Sequence, residues 1–314
     1  MNKYLSMLNF NIMRRFVKYI TLFLLPVFVF MIASEFLLRN IPNDYKNKRN
    51  YLDEHSEQLE VLFLGASHTL VGLNPDYFSK RCYNAAYVSQ TIDIDFEIYK
   101  KYALELNQLE YIILPISYCT LFEQLETISE YWRIINYNLY YDLNIGSHIK
   151  DYSEILGNKL WFNMYRMMKY YVFGTPPFIC SPNGWEKRLP DINLDMEVSG
   201  RERAKLHTID DPECFAQNVK LLRLFIEYAG ERNVQVILYT SPAYESYVKH
   251  LNSVQLQQSI DVANEMATTY PHVSYYNFLT DTTFVDSDFF DSDHLNESGA
   301  KKLSVMLNEK ISLK

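Results

Sequence analysis

Glycine is scarce in this sequence, at 9 of 314 residues. No G-x-G-x-x-G is present, which removes the dinucleotide-binding loop that many α/β sheets carry. Cysteine is scarcer still: Cys82, Cys119, Cys180 and Cys214 stand far apart, with no C-x-x-C pair and no metal-type spacing. Outside the cytoplasm a disulfide among them is permitted, not demanded. An excess of positive charge is missing as well. Thirty Lys and Arg face 38 Asp and Glu, a formal net charge of -8, which argues against a nucleic-acid surface. What is present is ordinary globular material, 48% hydrophobic and 22% charged, enough for one large domain behind an N-terminal segment. Tyrosine is abundant at 26 residues.

The strongest physical signal is N-terminal. Tyr19 to Ser34 carries no charge, and Leu37 and Leu38 extend the apolar run past Glu35. With Phe16 and Val17 the run approaches the ~20 residues that a helix needs to cross a bilayer, and Pro26 is tolerable there. Lys3, Arg14, Arg15 and Lys18 precede it, so residues 1–18 are expected to stay cytoplasmic. Residues 19–38 then form a single transmembrane anchor, 39–58 a juxtamembrane linker, and the rest lies outside, in the periplasm or at the cell surface. Basic residues also follow the run, at Arg39, Lys46, Lys48 and Arg49. A cleaved signal peptide is the alternative; no small-x-small site follows the run, which favours an uncleaved anchor.

The soluble part alternates. "LEVLFLG", "KRCYNAA", "EYIILPIS", "NVQVILYTSP" and "VSYYNFL" read as five strands. Helical patterns separate them; in "IDIDFEIYKKYALELNQ", Ile94, Ile98, Tyr102 and Leu106 share one face. Fully apolar strands alternating with helices predict a parallel sheet covered on both faces. The expected class is α/β, a doubly wound, flavodoxin-like five-stranded sheet, over residues 59–314. Residues 120–212 are too long for one crossover and are rich in Tyr, Trp and Phe. They read as a helical insertion packing its aromatics on the sheet, or as a lid or groove wall. The polar stretch Ser181 to Leu194 is the local candidate for a substrate contact.

Sites in open parallel sheets form at the carboxyl ends of strands. Ser67 follows the first strand in Gly65-Ala66-Ser67-His68. A serine hydroxyl needs a base to become a nucleophile. One stands in "FFDSDHLNESGAKKL", before the last helix: His294, with Asp291 three residues earlier able to orient the imidazole. Asp288 and Asp293 compete for that role. Asn296 reads as the N-cap of the last helix. A metal site is the other use of this acidic loop, but the calcium-binding loop with its mid-loop Gly and final Glu is absent, so none is assigned.

"GASH" after the first strand together with "DSDHLN" before the last helix resembles the SGNH/GDSL hydrolase superfamily. The resemblance spans the chain from about Glu60 onward and implies a triad of Ser67, Asp291 and His294, with no cofactor. Ala66 stands where that family has Asp. Its second block, with an oxyanion-hole Gly, is matched best by Ser89 in "YNAAYVSQT". Its third block, with an Asn, should follow "IILPIS", where Ser117 or Tyr118 stands instead. His68 reads as a rim or substrate contact. The anchor and insertion are similar to extracytoplasmic members that serve alginate and peptidoglycan O-acetylation and teichoic acid D-alanylation. The implied activity is that of a serine esterase or O-acyltransferase on a cell-surface carbohydrate ester. The alternative is a degenerate binding partner of an integral-membrane acyltransferase or polysaccharide assembly system. The partners implied are a glycan or acyl donor and the membrane, with no nucleic acid.

Overall fold

The computed structural model describes residues 2–177, 179–189 and 194–312. They form two compact units: 1–43 with 146–178, and 44–145 with 179–314.

The larger unit is built on β1 (Val61–Phe63), β2 (Cys82–Asn84), β3 (Tyr111–Pro115), β4 (Gln235–Thr240) and β5 (Val273–Asn277). All pairings are parallel, in the order β2-β1-β3-β4-β5. This is the flavodoxin-like order, with the switch point between β1 and β3. Val61 pairs with Cys82 on one side and Tyr111 on the other, so β1 is an interior strand, and all three of its residues are buried.

Alternation along the strands builds two cores. Leu62, Ile112, Leu114, Val236 and Leu238 point to one face. There they meet the predicted Ile94, Ile98, Tyr102 and Leu106, all buried, and Leu222, Phe225 and Met266 of later helices. Val61, Phe63, Ile113, Ile237 and Tyr239 point to the other, against Leu303, Leu307 and Ile311 of the last helix.

The helices that matter below are α1 (Asn2–Arg39), α2 (Asp44–His55), α3 (Ser67–Gly72), α4 (Ile92–Tyr102), α5 (Leu160–Met167), α6 (Met196–His207), α7 (Pro212–Gly230), α8 (Ser253–Thr269) and α9 (Glu297–Ser312). Where the sequence suggests a linker at 39–58, α2 places Tyr45 and Leu52 in the first core. The aromatic insertion divides between the units. Tyr137, Tyr140 and Tyr141 join the core as expected. Trp161, Tyr165, Tyr171 and Phe173 instead lie exposed in the smaller unit. There the polar side chains turn inward: Asn163 donates to the Glu154 carbonyl at 2.7 Å and Arg166 pairs with the Glu154 carboxylate at 2.7 Å.

In α1, residues Ile12–Arg39 are long and apolar enough to cross a membrane.

Candidate active site

The turn after β1 is set by Gly65. Its φ is +110°, and a Cβ there would lie 2.3 Å from Pro115 Cδ. Only glycine allows the chain to pass β3 this closely in that conformation. The Gly65 N–H donates to Asp95 Oδ1 at 2.8 Å. Ser67 then opens α3. That short helix is held from outside: Asn84 Nδ2 donates to the Thr69 and Leu73 carbonyls at 2.9 and 2.8 Å, and Trp185 Nε1 to the Val71 carbonyl at 2.7 Å.

His294 reaches the same edge. The Asn296 side chain accepts the Ser298 N–H at 2.9 Å, capping α9 as its sequence position suggests, and donates to the Ser287 carbonyl at 2.8 Å. Asp288 also serves the helix, taking Lys302 Nζ at 2.5 Å and Ser298 Oγ at 2.8 Å. Asp291 is the carboxylate that turns back. It accepts the His294 backbone N–H at 2.8 Å and Nδ1–H at 2.9 Å. His294 Nε2 is 2.7 Å from Ser67 Oγ. The structure thus brings Ser67, His294 and Asp291 into one hydrogen-bonded line, 227 residues apart in sequence at the first step.

Charges around the line are arranged to keep it polarised. Burial works to raise the Asp291 pKa, but the bond from His294, its charge and Arg203 overcome this and hold the carboxyl well below its usual range. Burial lowers the pKa of His294, yet Asp293 and Asp291 outweigh that and raise it. Asp293 is fully buried, and neither carboxylate oxygen has a hydrogen-bond partner. Burial pushes it up to about 6. Its neighbours are His294 Nδ1 at 3.5 Å, Arg203 Nε at 3.7 Å, His68 Nε2 at 3.8 Å and His207 Nδ1 at 3.9 Å.

The other candidates fare differently. Ser89 lines the same cleft as Ser67, with φ at +55°. That is the left-handed conformation glycine favours, at the position read from the sequence as the best match to a glycine. Ser117 also lines the cleft, but its hydroxyl is engaged with His68 Nδ1 at 3.1 Å. Tyr118 is not brought to the cleft. It is buried beside Ala204 and Tyr247, its hydroxyl bonded to Thr208 Oγ1 at 2.8 Å and to the Asn252 N–H at 2.9 Å. His68, read as a rim or substrate contact, lines the cleft with little exposure, its ring stacked 5.0 Å from that of His294. Burial and the nearby His294 keep its pKa well below the usual imidazole value. The stretch Ser181 to Leu194 is partly structural. Residues 181–186 brace α3 through Trp185, Arg188 reaches the cleft, and 190–193 lie outside the described residues.

Sequence reasoning missed Asp95, Arg203 and His207. Asp95 sits on α4, and its burial pushes the carboxyl up to about 8 despite bonds from Gln90 and Gly65. Arg203 and His207 lie on α6, within the segment read only as insertion. A helical face carrying Arg, Ala and His at 203, 204 and 207 gives no signal that distinguishes it from a solvated one.

The cleft above Ser67 is about 450 Å³. Arg133, Arg188, Arg203 and Glu130 stand in its walls, and Phe290 is the one Phe, Tyr or Trp among the described lining residues. The insertion does wall this cleft, through Ile128, Arg133, Arg203 and Leu206 among others, but with none of its described aromatic residues. His68, Asp293 and His294 offer ligand atoms within 4.8 Å of one another. Both ring nitrogens of His294 are already engaged, by Ser67 and by Asp291, so a metal ion there would displace part of the line.

No protein-family model matches the chain, and no curated protein does. Among solved structures it is similar to a "putative acylhydrolase" from Bacteroides fragilis NCTC 9343, at 11% identity and TM-score 0.39, covering 86% of this chain and 99% of that one. It is similar to a "putative platelet activating factor" from Streptococcus pneumonia, at 11% identity and TM-score 0.43, covering 94% and 99%. It is similar to a "GDSL-like lipase" from Bacteroides thetaiotaomicron VPI-5482, at 10% identity and TM-score 0.39, covering 85% and 100%.

Proposed function

We propose that this chain is a membrane-anchored serine esterase or O-acyltransferase of the SGNH/GDSL type, acting outside the cytoplasm on a cell-surface carbohydrate ester. The observation that carries the reading is the continuous line from Asp291 through His294 to Ser67, with the 2.7 Å contact at the hydroxyl. Ser67 Oγ attacks the ester carbonyl while its proton passes to His294 Nε2. Asp291 stabilises the imidazolium. The tetrahedral intermediate collapses, the C–O bond to the leaving alcohol breaks, and that alcohol takes the proton from His294. The acyl-Ser67 ester is then attacked by water, giving an esterase, or by a sugar hydroxyl, giving a transferase. In either case His294 takes the attacker's proton and returns it to Ser67 Oγ. The backbone N–H groups of Ser67 and Ser89 are the oxyanion donors in this reading. Arg133, Arg188, Arg203 and Glu130 in the cleft walls suit a polar carrier for the acyl group. The basic residues before the apolar stretch of α1 support a cytoplasmic N-terminus.

A second reading rests on the third block. No Asn follows β3, and the Ser117 hydroxyl there is held by His68. A site short of one oxyanion donor suits a non-catalytic partner of an integral-membrane acyltransferase or polysaccharide assembly system. Treating the full-length chain with a fluorophosphonate probe and mapping the adduct separates the two. Labelling at Ser67 that disappears in His294→Ala establishes an activated nucleophile. Absence of label on a folded chain favours the partner reading and directs the search to a co-purifying membrane protein.

A further inference from the structure

The smaller unit is built inside out. Helix α5 and the wider turn that continues it, Met168–Val172, carry an exposed face of Leu160, Trp161, Met164, Tyr165, Met168 and Val172. Leu160, Trp161 and Val172 are 68%, 66% and 70% exposed. The first five recur at i, i+1, i+4, i+5 and i+8, one stripe on a helix. The opposite face buries Asn163 and directs Arg166 onto Glu154. A helix in water turns its apolar stripe inward, and a contiguous exposed apolar patch marks a binding surface. This helix does the reverse.

The stripe is fixed to the end of the apolar helix. Glu35 is the one acidic residue in the run of α1. Its carboxylate accepts Ser153 Oγ at 2.9 Å and the N–H groups of Glu154 and Ile155 at 3.1 and 3.0 Å. Arg39 donates to the Tyr152 carbonyl at 2.9 Å, and Tyr171 Oη to the Leu37 carbonyl at 2.8 Å. Both ends of the 152–171 segment are thus tied to the last turns of α1. Wherever residues 35–39 sit relative to a bilayer, α5 sits there too.

We propose that residues 160–172 lie in the membrane interface, with the Leu160, Trp161, Met164, Tyr165, Met168 and Val172 face in lipid. This rests on the reading that α1 crosses the bilayer. The occupant is lipid because the surface continues that of a membrane-crossing helix at the level where the helix emerges. The composition fits: Trp and Tyr prefer the headgroup boundary, and Lys159 and Lys169, both exposed, can extend their stems along the apolar face and keep their charges in the headgroups. Glu35 has its role in the same arrangement, accepting the exposed N–H groups of the 153–155 turn at the membrane boundary. The smaller unit then meets the membrane through two elements, α1 and α5, rather than one.

The test uses the full-length chain and its Trp161→Phe variant, reconstituted in phosphatidylcholine vesicles. Part of the lipid is brominated, shallow on the acyl chain in one set and deep in another. The intact chain is expected to lose fluorescence to the shallow bromines, and Trp161→Phe to lack that loss. A second variant, Phe23→Trp in the Trp161→Phe background, reports on α1 and is expected to be quenched by the deep bromines. If Phe23→Trp is quenched deeply but Trp161 contributes no shallow quenching, α1 crosses the bilayer and the interfacial placement is overturned, leaving the stripe to a protein partner or a second copy. If neither position is quenched, the membrane-crossing reading itself fails and the placement with it.

Discussion

Asp95 accepts the Gly65 N–H at 2.8 Å, so a buried carboxyl on α4 fixes the turn that presents Ser67. The same Oδ1 takes Gln90 Nε2 at 2.7 Å, and Gln90 follows Ser89. One side chain therefore holds both segments that line the cleft at Ser67 and Ser89. Asp95→Ala is expected to leave the Gly65 N–H unpaired, at a cost of ~1–3 kcal/mol, and to lower kcat with it. Asp95→Asn keeps an oxygen for both donors and is expected to retain activity. The unmodified chain and Asp95→Asn also differ with pH. The folded pKa of about 8 lies above the ordinary carboxylate value, so the folded chain holds a proton that the unfolded chain releases. Stability attached to this group is present at low pH and is lost as pH rises toward 8. Urea midpoints at pH 5 and pH 8 are expected to draw closer in Asp95→Asn. Equal pH slopes in both proteins would refute the assignment.

Loss of the triad members is expected to follow the geometry of the line. Ser67→Ala and His294→Ala each remove an indispensable atom and should lower kcat by roughly 10⁴–10⁶. Asp291→Asn keeps the shape but offers His294 the wrong tautomer, and should cost about 10⁴. The double variant Ser67→Ala/His294→Ala should be no worse than either single one, because the residues act as a unit. Hydrolysis of an acetylated aryl ester reads all four. Additive losses would mean that Ser67 and His294 do not work together.

The acid limb of the pH–rate profile is expected to be set by His294, the base of the proposed reaction. The base must be neutral, so kcat/KM rises with pH through its pKa, which Asp293 and Asp291 hold above the ordinary imidazole value against the effect of burial. The groups that face this ring are Asp291, Asp293, Arg203, His68 and His207. Asp293→Asn removes one negative neighbour and should move the limb to lower pH while the alkaline plateau is kept. Arg203→Gln removes a positive one and should move it to higher pH. Limbs that stay in place in both variants would show that another group titrates.

The sheet and the triad were legible in the sequence for different reasons. The interior strands β1, β3 and β4 read as apolar runs, whereas the edge strands β2 and β5, Cys82–Asn84 and Val273–Asn277, carry polar residues and were marked by the alternation with helices. Ser67, Asp291 and His294 were legible because each follows a strand or precedes a helix at the one edge where loops converge. Asp95 was not: it lies on α4 between Asp93 and Glu97, where one acid of several reads as a solvated position, and only the fold turns it under Gly65. Tyr118 was misplaced because the chain turns there, three residues past the end of β3, and its ring faces α6 and α8. The exposed stripe of α5 was also hidden, since apolar spacing in a sequence does not say which side of a helix is wet. Ser89 carries the reverse lesson. Its side chain hid a glycine-like φ of +55°. Ser89→Gly should keep activity and stability, whereas Ser89→Val, β-branched in that conformation, should lower both. A thermal melt and an ester assay on the pair check this.

Gly65 allows the steric and conformational parts of one substitution to be separated. Gly65→Ala puts a methyl 2.3 Å from Pro115 Cδ and Cγ, at a φ of +110° that side chains rarely adopt. Both effects destabilise, by more than the ~1 kcal/mol typical of an incompatible Gly→Ala change. Both also shift the turn that places Ser67 Oγ on His294, so kcat should fall more than KM rises. Pro115→Ala removes the ring that the methyl would strike and leaves φ as it was. The double variant Gly65→Ala/Pro115→Ala should therefore recover part of the stability lost in Gly65→Ala, giving a favourable coupling energy in a double-mutant cycle. The remainder measures the backbone conformation alone. Zero coupling would mean that the close passage of β1 past β3 is not what requires glycine, and that the turn is dictated by φ and by the Asp95 bond.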